Sequence, residues 1–347
     1  MNLQVSKSLI LLSLIIGLSG CIQPDNDFKK AKKRSFQDLA KLTVYTDSSF
    51  MKGANLDTLM STFSAPFILS PSPEPMYDVS LTDGIKSNVT SPRNDKILIT
   101  GIASENPDLA QYVKNLFGLN RLKYNKHGWY RAKTVDQWAT PQSVYAAIAI
   151  DKEAFQANAS RIYTGIRNEL DQDNDRYIQS AYGIDKDISS EIEQNIGVDL
   201  QIPEGYEIAR QTEEGMWLRK DKGEQIYNLI IYKSDIVKPL NRENIILLQN
   251  EATLSLIDNK NNADPIIIEE DILPLFLYKT SLDDMPAVQA RGIWKREHSF
   301  MGGSFSAYTY NTEKTTTLIG GFYFAPKTKK RDGILELDYI IRTLSNR

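Results

Sequence analysis

A single cysteine, Cys21, serves a chain of 347 residues. Without a second thiol no intrachain disulfide can brace the fold, and cysteine-built metal knots are closed to it. The body must be held by a hydrophobic core, and this length suffices for one large domain or two. Hydrophobic residues at 41% and charged residues at 24% are ordinary globular proportions and argue against a disordered chain. A net charge of −3 provides no general basic face to displace phosphate counterions, so nucleic acid is not an expected partner.

The position of that cysteine is informative. Lys7 is followed by the apolar run Leu9-Ile10-Leu11-Leu12-Ser13-Leu14-Ile15-Ile16-Gly17-Leu18. This is about half of the ~20 residues that span a bilayer, and it suits the core of a secretory signal. Leu18-Ser19-Gly20-Cys21 then has the lipobox pattern: a branched apolar residue, two small ones, then Cys. Small side chains let the backbone enter a peptidase, and the thiol accepts diacylglycerol. Several acyl chains at ~0.8 kcal/mol per buried CH₂ give stable anchoring. A buried first helix ending at Gly20 is the competing reading, and the charge order favours the signal. The expectation is cleavage before Cys21, palmitate-type lipid on Cys21, and a bacterial envelope location. The absence of Asp after Cys21 points to the outer membrane. Residues 1–20 are then signal peptide and 21–40 a tether, with the basic run Lys29-Lys30-Ala31-Lys32-Lys33-Arg34 near the headgroups or solvated.

Beyond residue 40 the chain reads as α+β: two mixed, mainly antiparallel sheet-plus-helix blocks resembling α/β sandwiches, at 41–185 and 186–347. Asn106-Pro107 opens a helix that Gly118 closes. Phe155, Ala159, Ile162, Ile166 and Leu170 recur at three- and four-residue steps, which predicts a long helix from about Asp151 to Tyr182. A second helix carries Ile188, Ile192 and Ile196 and ends at Gly197. Val198, Leu200 and Ile202 alternate as a half-buried strand would. Asn241 caps a further helix, several strands follow, and Asp332-Gly333 precedes a terminal helix with Ile334, Leu337, Ile341 and Leu344 on one face.

Several segments, in order, resemble a family of uncharacterised bacterial lipoproteins, domain of unknown function 4837. They are Glu74-Pro75-Met76-Tyr77, Arg93-Asn94, Trp138-Ala139-Thr140-Pro141-Gln142, Ile202-Pro203-Glu204-Gly205-Tyr206, Trp217-Leu218-Arg219, Arg291-Gly292-Ile293-Trp294, Phe300-Met301-Gly302-Gly303-Ser304-Phe305 and Phe322-Tyr323-Phe324-Ala325-Pro326-Lys327. Ser304 stands where that pattern has Pro, and the stretch at Asn250-Glu251 lacks its Arg-Asp signature, as in a divergent member. The resemblance implies an envelope lipoprotein and supplies no catalytic residues. At fold level the C-terminal block also resembles a PsbP-like sandwich, which fixes no function.

Candidate chemistry is sparse. Asp171-Gln172-Asp173-Asn174-Asp175 starts like a calcium loop, but Arg176 stands where the turn needs Gly and Tyr182 where Glu should close the site. It reads instead as a solvated, acidic helix end. His127 and His298 are the only histidines, and their spacing asks for no metal; His298 is expected in a hairpin turn. Gly302-Gly303 and Gly320-Gly321 lack the context of a phosphate loop. No Gly-x-Ser-x-Gly elbow is present. The expectation is no cofactor and no metal, and an enzyme has no positive support. A ligand or partner surface is expected at Arg93, Trp138, Arg291, Trp294, Met301, Gly302 and Gly303, where guanidinium groups, aromatic rings and bare backbone combine. The reading is a lipid-anchored envelope protein that binds a partner protein or organises the envelope; the alternative is a lipid-anchored binder of a glycan or lipid fragment.

Overall fold

The computed structural model describes residues 32–67, 72–83, 92–118, 123–257 and 264–345; Cys21 and the expected signal lie outside them. The first half of the chain runs β1 (Lys33–Arg34), β2 (Lys41–Thr46), α1 (Ala54–Phe63), β3 (Pro66–Phe67), β4 (Glu74–Pro75), β5 (Asp78–Asp83), β6 (Lys96–Ile102), α2 (Pro107–Phe117), β7 (Trp129–Val135), β8 (Ala139–Thr140), β9 (Ser143–Ala149), α3 (Lys152–Tyr182) and α4 (Lys186–Ile196). The second half continues β10 (Glu207–Gln211), β11 (Gly215–Lys222), β12 (Gln225–Ser234), α5 (Arg242–Leu256), β13 (Ile266–Glu269), β14 (Phe276–Leu282), β15 (Met285–Arg296), β16 (Gly302–Asn311), β17 (Thr316–Phe324) and α6 (Arg331–Arg342). The fold is α+β.

The first sheet has the order β5-β2-β6-β9-β7. The pairings β2 with β5, β2 with β6 and β6 with β9 are parallel, and only β7 with β9 is antiparallel. This departs from the mainly antiparallel sheet expected in this block. The cause is local: α1 lies between β2 and β5 and α2 follows β6, so helical crossovers return the chain in the same direction. Both faces of the central strands are therefore covered. Leu98, Tyr145, Ala147 and Ala149 pack under α1 and α3, whereas Ile97, Ile99, Val144, Ala146 and Ile148 pack under α2. That two-sided burial makes β6 and β9 read as continuous apolar runs.

The second sheet is antiparallel throughout, in the order β10-β11-β12-β17-β16-β15-β13, with β14 also pairing β15. β15 is long enough to pair twice, with β14 through 285–291 and with β13 through 293–296. On one face Ile245, Leu248, Ala252 and Leu256 of α5 meet Trp294, Phe305 and Phe322. On the other, Ile334, Leu337, Ile340 and Ile341 of α6 and Ile192 and Ile196 of α4 meet Leu229, Ile231 and Tyr308. The layers are thus helix, sheet, helix.

The helices begin where their caps dictate. The side chains of Asn106, Asp151, Asp185 and Asn241 accept from the backbone N–H three residues on. Gly197 ends α4 in the left-handed region at φ 73°. α3 has 31 residues, about 46 Å at ~1.5 Å per residue. Its first turns bury Phe155, Ala159, Ile162, Ile166 and Leu170 against the first sheet, and Ile178 enters the core of the second. One rigid helix serves both cores, and the chain passes between the sheets without a Gly/Pro/Ser linker.

Two expectations fail locally. Val198, Leu200 and Ile202 are buried, but the segment makes only single bridges, Asp199 to Ser345 and Ile184 to Pro203, and forms no strand. Its alternation reflects packing under α6 rather than a sheet ladder. Gly333 lies inside α6, not before it. The end of the expected tether is also held: Lys33 and Arg34 pair with Ala139 and Thr140, and Ser35 and Ala40 are buried.

Candidate functional site

α3 and α6 touch, and a cleft opens on either side of their contact. The first, ≈ 300 Å³, is charged. Asp171, Asn174, Asp175 and Ile178 reach it from α3, Leu335, Asp338 and Arg342 from α6, Arg291 from β15 and Phe67 from β3. The acidic string is not a solvated helix end: it sits inside α3, with every carboxylate engaged. Tyr77 donates its hydroxyl proton to Asp171 at 2.6 Å, Lys133 and Tyr145 donate to Asp173 at 2.9 and 2.7 Å, and Arg342 donates to Asp175 at 2.6 Å. Arg291 donates to the fully buried Asp338 at 2.7 Å, and its guanidinium lies 4.8 Å over the Phe67 ring. The Gln289 amide oxygen, turned to face this guanidinium, accepts from Arg291 Nε at 2.9 Å.

The electrostatics follow from burial. Desolvation raises the carboxyls of Asp171 and Asp175 above the ordinary carboxylate range, against the pull of Arg342 on both. Burial opposes the charge on Arg342, but Asp338 and Asp175 outweigh it and keep the guanidinium protonated. Asn174 is buried, its amide donates to the Tyr77 hydroxyl at 3.1 Å, and its Oδ1 has no hydrogen-bond partner among the described residues. An unmatched buried acceptor costs free energy that a donor entering the cleft would recover.

The second cleft, ≈ 430 Å³, is aromatic. Tyr177 and Tyr182 of α3 face Tyr227 of β12 and Tyr323 of β17, and Gln37, Asp38, Lys222, Gln225, Lys329 and Asp332 supply polar groups. Gln225 fixes two rings, accepting from Tyr227 at 3.2 Å and Tyr323 at 2.8 Å. At its edge Lys220 is buried in an ion pair with Glu336, and its ammonium lies 4.6–4.8 Å from the ring centres of Tyr182, Tyr206 and Tyr227. Burial, then the Glu336 charge, pushes the Tyr182 hydroxyl up to about 12. The clefts together offer flat apolar rings and fixed donors and acceptors, the combination that holds polyhydroxylated ligands. Among the described residues no group of three or more His, Cys, Asp or Glu side chains could hold a metal ion.

The residues anticipated from sequence fall in three places. Arg291 lines the charged cleft. Trp294, Gly302 and Gly303 line a separate pocket on the second sheet, with Met301 packed nearby. Arg93 and Trp138 belong to a corner that fastens the start of the body. Arg93 donates to the Arg34 carbonyl at 2.9 Å and covers the Phe36 ring at 4.4 Å, while the backbone N–H of Trp138 donates to Gln142 Oε1 at 2.9 Å. Sequence reasoning missed Asp338, Arg342, Tyr177, Tyr182, Tyr227 and Tyr323. The three-to-four spacing of Asp171, Asn174, Asp175 and Ile178 was the available signal that the acidic string has a buried face.

Residues 185–343 match the family described as "Domain of unknown function (DUF4837)". The DUF4837 match opens at Asp185, the cap of α4, and closes at Thr343, just past α6, so it contains the whole second sheet. Of the segments that carried the resemblance, those at 74–77, 93–94 and 138–142 lie outside it. Both clefts combine side chains from inside the DUF4837 span with side chains of α3, which precedes it. A solved structure similar to this chain is described as the "Crystal structure of LpqN involved in cell envelope biogenesis of Mycobacterium tuberculosis", with 9% identity, 43% of this chain and 83% of that one covered, and a TM-score of 0.27. No curated protein matches the chain.

Proposed function

We propose that this chain is a lipoprotein, anchored in the outer membrane of a bacterial envelope through Cys21, whose body binds a small polyhydroxylated ligand of the glycan class at the α3–α6 seam. The anchor rests on the lipobox at Leu18-Ser19-Gly20-Cys21; among the described residues no helix is long and apolar enough to cross a membrane. The ligand reading rests on one observation: four tyrosines wall a ≈ 430 Å³ cleft whose rim is polar. Rings stack on sugar faces, and Gln37, Asp38, Gln225 and Asp332 are placed to meet hydroxyls. Isothermal titration with chitotetraose and maltotetraose tests it. Binding of either sugar, weakened about tenfold by Tyr177→Ala or Tyr182→Ala, is expected. No binding, or equal binding by both variants, would remove the glycan reading. Metabolic labelling with a palmitate analogue tests the anchor; Cys21→Ala should abolish the label.

Partner-protein binding has one observation in its favour. Leu247 and Leu254 are exposed on α5 on the same side as Glu251, which accepts from Lys238 at 2.8 Å, next to exposed Ile236 and Val237. Crosslinking from Leu247 in intact cells should recover one defined envelope protein on this reading, and none if the strip is merely solvated.

A further inference from the structure

The chain enters the body at one fixed corner. Lys32 donates to the Asp136 carbonyl, Lys33 and Arg34 pair with Ala139 and Thr140, and the Phe36 N–H donates to the Arg93 carbonyl at 2.7 Å. Along such an extended stretch alternate side chains face opposite ways. Ser35 is buried, so Arg34 and Phe36 on either side of it point outward, and both are exposed. The Phe36 ring is 62% exposed. Arg93, whose Nε donates to the Arg34 carbonyl, lays its guanidinium on that ring.

The corner is basic. Lys32, Lys33, Arg34 and Arg93 gather on it, and among the described residues none of the four pairs with a carboxylate. Asp95, the acid nearest to Arg93 in sequence, is taken by Lys96. An aromatic ring standing in water among cations matches an anionic lipid surface, where the ring enters the headgroup–acyl boundary and the cations meet phosphates. The length of the tether adds a constraint. Ten residues separate Cys21 from Lys32, a reach of at most about 40 Å at ~3.6 Å per residue. That is less than the ~50 Å breadth of a body of this size. With lipid on Cys21, this corner cannot stand on the side of the body away from the bilayer.

We propose that this corner docks on an anionic membrane surface, with Phe36 in the headgroup–acyl boundary and Lys32, Lys33, Arg34 and Arg93 against phosphate groups. The docking rests on the Cys21 anchor proposed above and adds an orientation to it. Gln37 and Asp38, the next residues along the chain, line the aromatic cleft. Docking therefore sets that cleft beside the membrane surface.

The test is spin-label accessibility of the acylated full chain on lipid vesicles. Acylation of Cys21 leaves no free thiol, so a nitroxide attaches only where a cysteine is introduced. Thr140→Cys places it beside Arg34, and Leu247→Cys, exposed on α5, is the control. On vesicles containing phosphatidylglycerol, oxygen should reach the label at 140 better than a water-soluble nickel chelate does, and the label at 247 should show the reverse. Lys33→Gln/Arg34→Gln, which keeps the backbone pairing of β1, should lower the docked-to-undocked ratio roughly 25-fold, at about fivefold for each basic residue. Phe36→Ser should also draw the label into water, and vesicles of phosphatidylcholine alone should not shield it. A nickel chelate that reaches 140 as freely as 247, on a chain that still floats with the vesicles, would overturn the docking and leave the anchor standing. A second nitroxide on Cys21 and no flotation would overturn the anchor, and the docking with it. Equal shielding on phosphatidylcholine would remove the anionic surface. A label shielded from both colliders would make the corner a protein contact instead.

Discussion

Glu74 caps the helix that begins at Arg331. Its two carboxylate oxygens accept from the backbone N–H groups of Lys330 at 2.7 Å and Arg331 at 3.0 Å, across more than 250 residues of chain. No side chain local to α6 does this. The neighbouring Pro75 carbonyl accepts from Arg331 at 2.8 Å, Asp78 accepts from Arg331 at 3.1 Å, and Tyr77 reaches Asp171. The run Glu74-Pro75-Met76-Tyr77 is thus a staple between the first sheet, α3 and α6. Its residues set the relative position of the two helices that make both clefts.

Glu74→Ala therefore should lower stability by about 1–2 kcal/mol, the worth of a helix cap, and shift the thermal midpoint down by roughly 1–2 °C per kcal/mol for a chain of this size. Glu74→Gln, which keeps one acceptor, should lose less. Differential scanning calorimetry of the two variants decides it. Equal midpoints for wild type and Glu74→Ala would mean the cap contributes nothing.

The buried pair Lys220–Glu336 makes a sharper prediction. Removing one partner strands a charge in the core, at a cost of about 3–5 kcal/mol, whereas replacing both by apolar groups of similar volume is often nearly neutral. Glu336→Leu should be strongly destabilised in urea, and Lys220→Met/Glu336→Leu should regain most of the loss. Three tyrosine rings around Lys220 temper the single-variant effect through cation–π attraction. A double variant no more stable than the worse single one would show that the rings, not the carboxylate, hold Lys220.

Much of this fold is legible in the sequence because its helices announce themselves locally. Asp151, Asn106 and Asn241 sit where caps belong, and the apolar spacing from Phe155 to Leu170 continues unbroken into the structure. The direction of the first sheet is not legible. β6 and β9 are apolar on both faces, which fits a buried strand of either sense, and only the tertiary path through α1 and α2 makes them parallel. The seam is hidden for a similar reason. Asp171 and Asp338 are ordinary polar residues in sequence, and they become a site only when Glu74 and Arg331 bring α3 beside α6. Arg291 was recognisable as a guanidinium with a purpose, but its partner Asp338 lies 47 residues on.

Asp171 should leave a mark on the pH dependence of stability. Burial raises its carboxyl in the folded state, despite the Tyr77 hydrogen bond and the Arg167 and Arg342 charges. A raised folded value means that this residue's stabilising contribution is complete below the unfolded carboxylate value, ~3.9, and is lost as pH rises through the folded value. Asp171→Asn cannot ionise and still presents an oxygen to Tyr77. Its thermal midpoint relative to wild type should therefore be more favourable at pH 7 than at pH 3. A difference that runs the other way would mean that Tyr77 and the two arginines overcome desolvation.

Gly333 sets helix propensity against packing. It lies in the first turn of α6, where glycine is ~1 kcal/mol worse than alanine in a helix interior. On propensity alone Gly333→Ala would stabilise the protein. The structure reverses the sign, because a methyl at this position would overlap the ring of Tyr323. That ring is buried, lies 4.7 Å from Tyr227 and donates to Gln225 at 2.8 Å, so retreating into the cleft would disrupt both contacts. Overpacking of this kind costs about 1–3 kcal/mol, more than the helix gains. Gly333→Ala should melt at a lower temperature than wild type, and Gly333→Ala/Tyr323→Leu, with the ring gone, should recover part of the loss beyond what Tyr323→Leu alone shows. A single variant that melts higher would mean that α6 stands farther from the second sheet than this packing requires, and the aromatic cleft that Tyr323 helps to wall would be correspondingly wider.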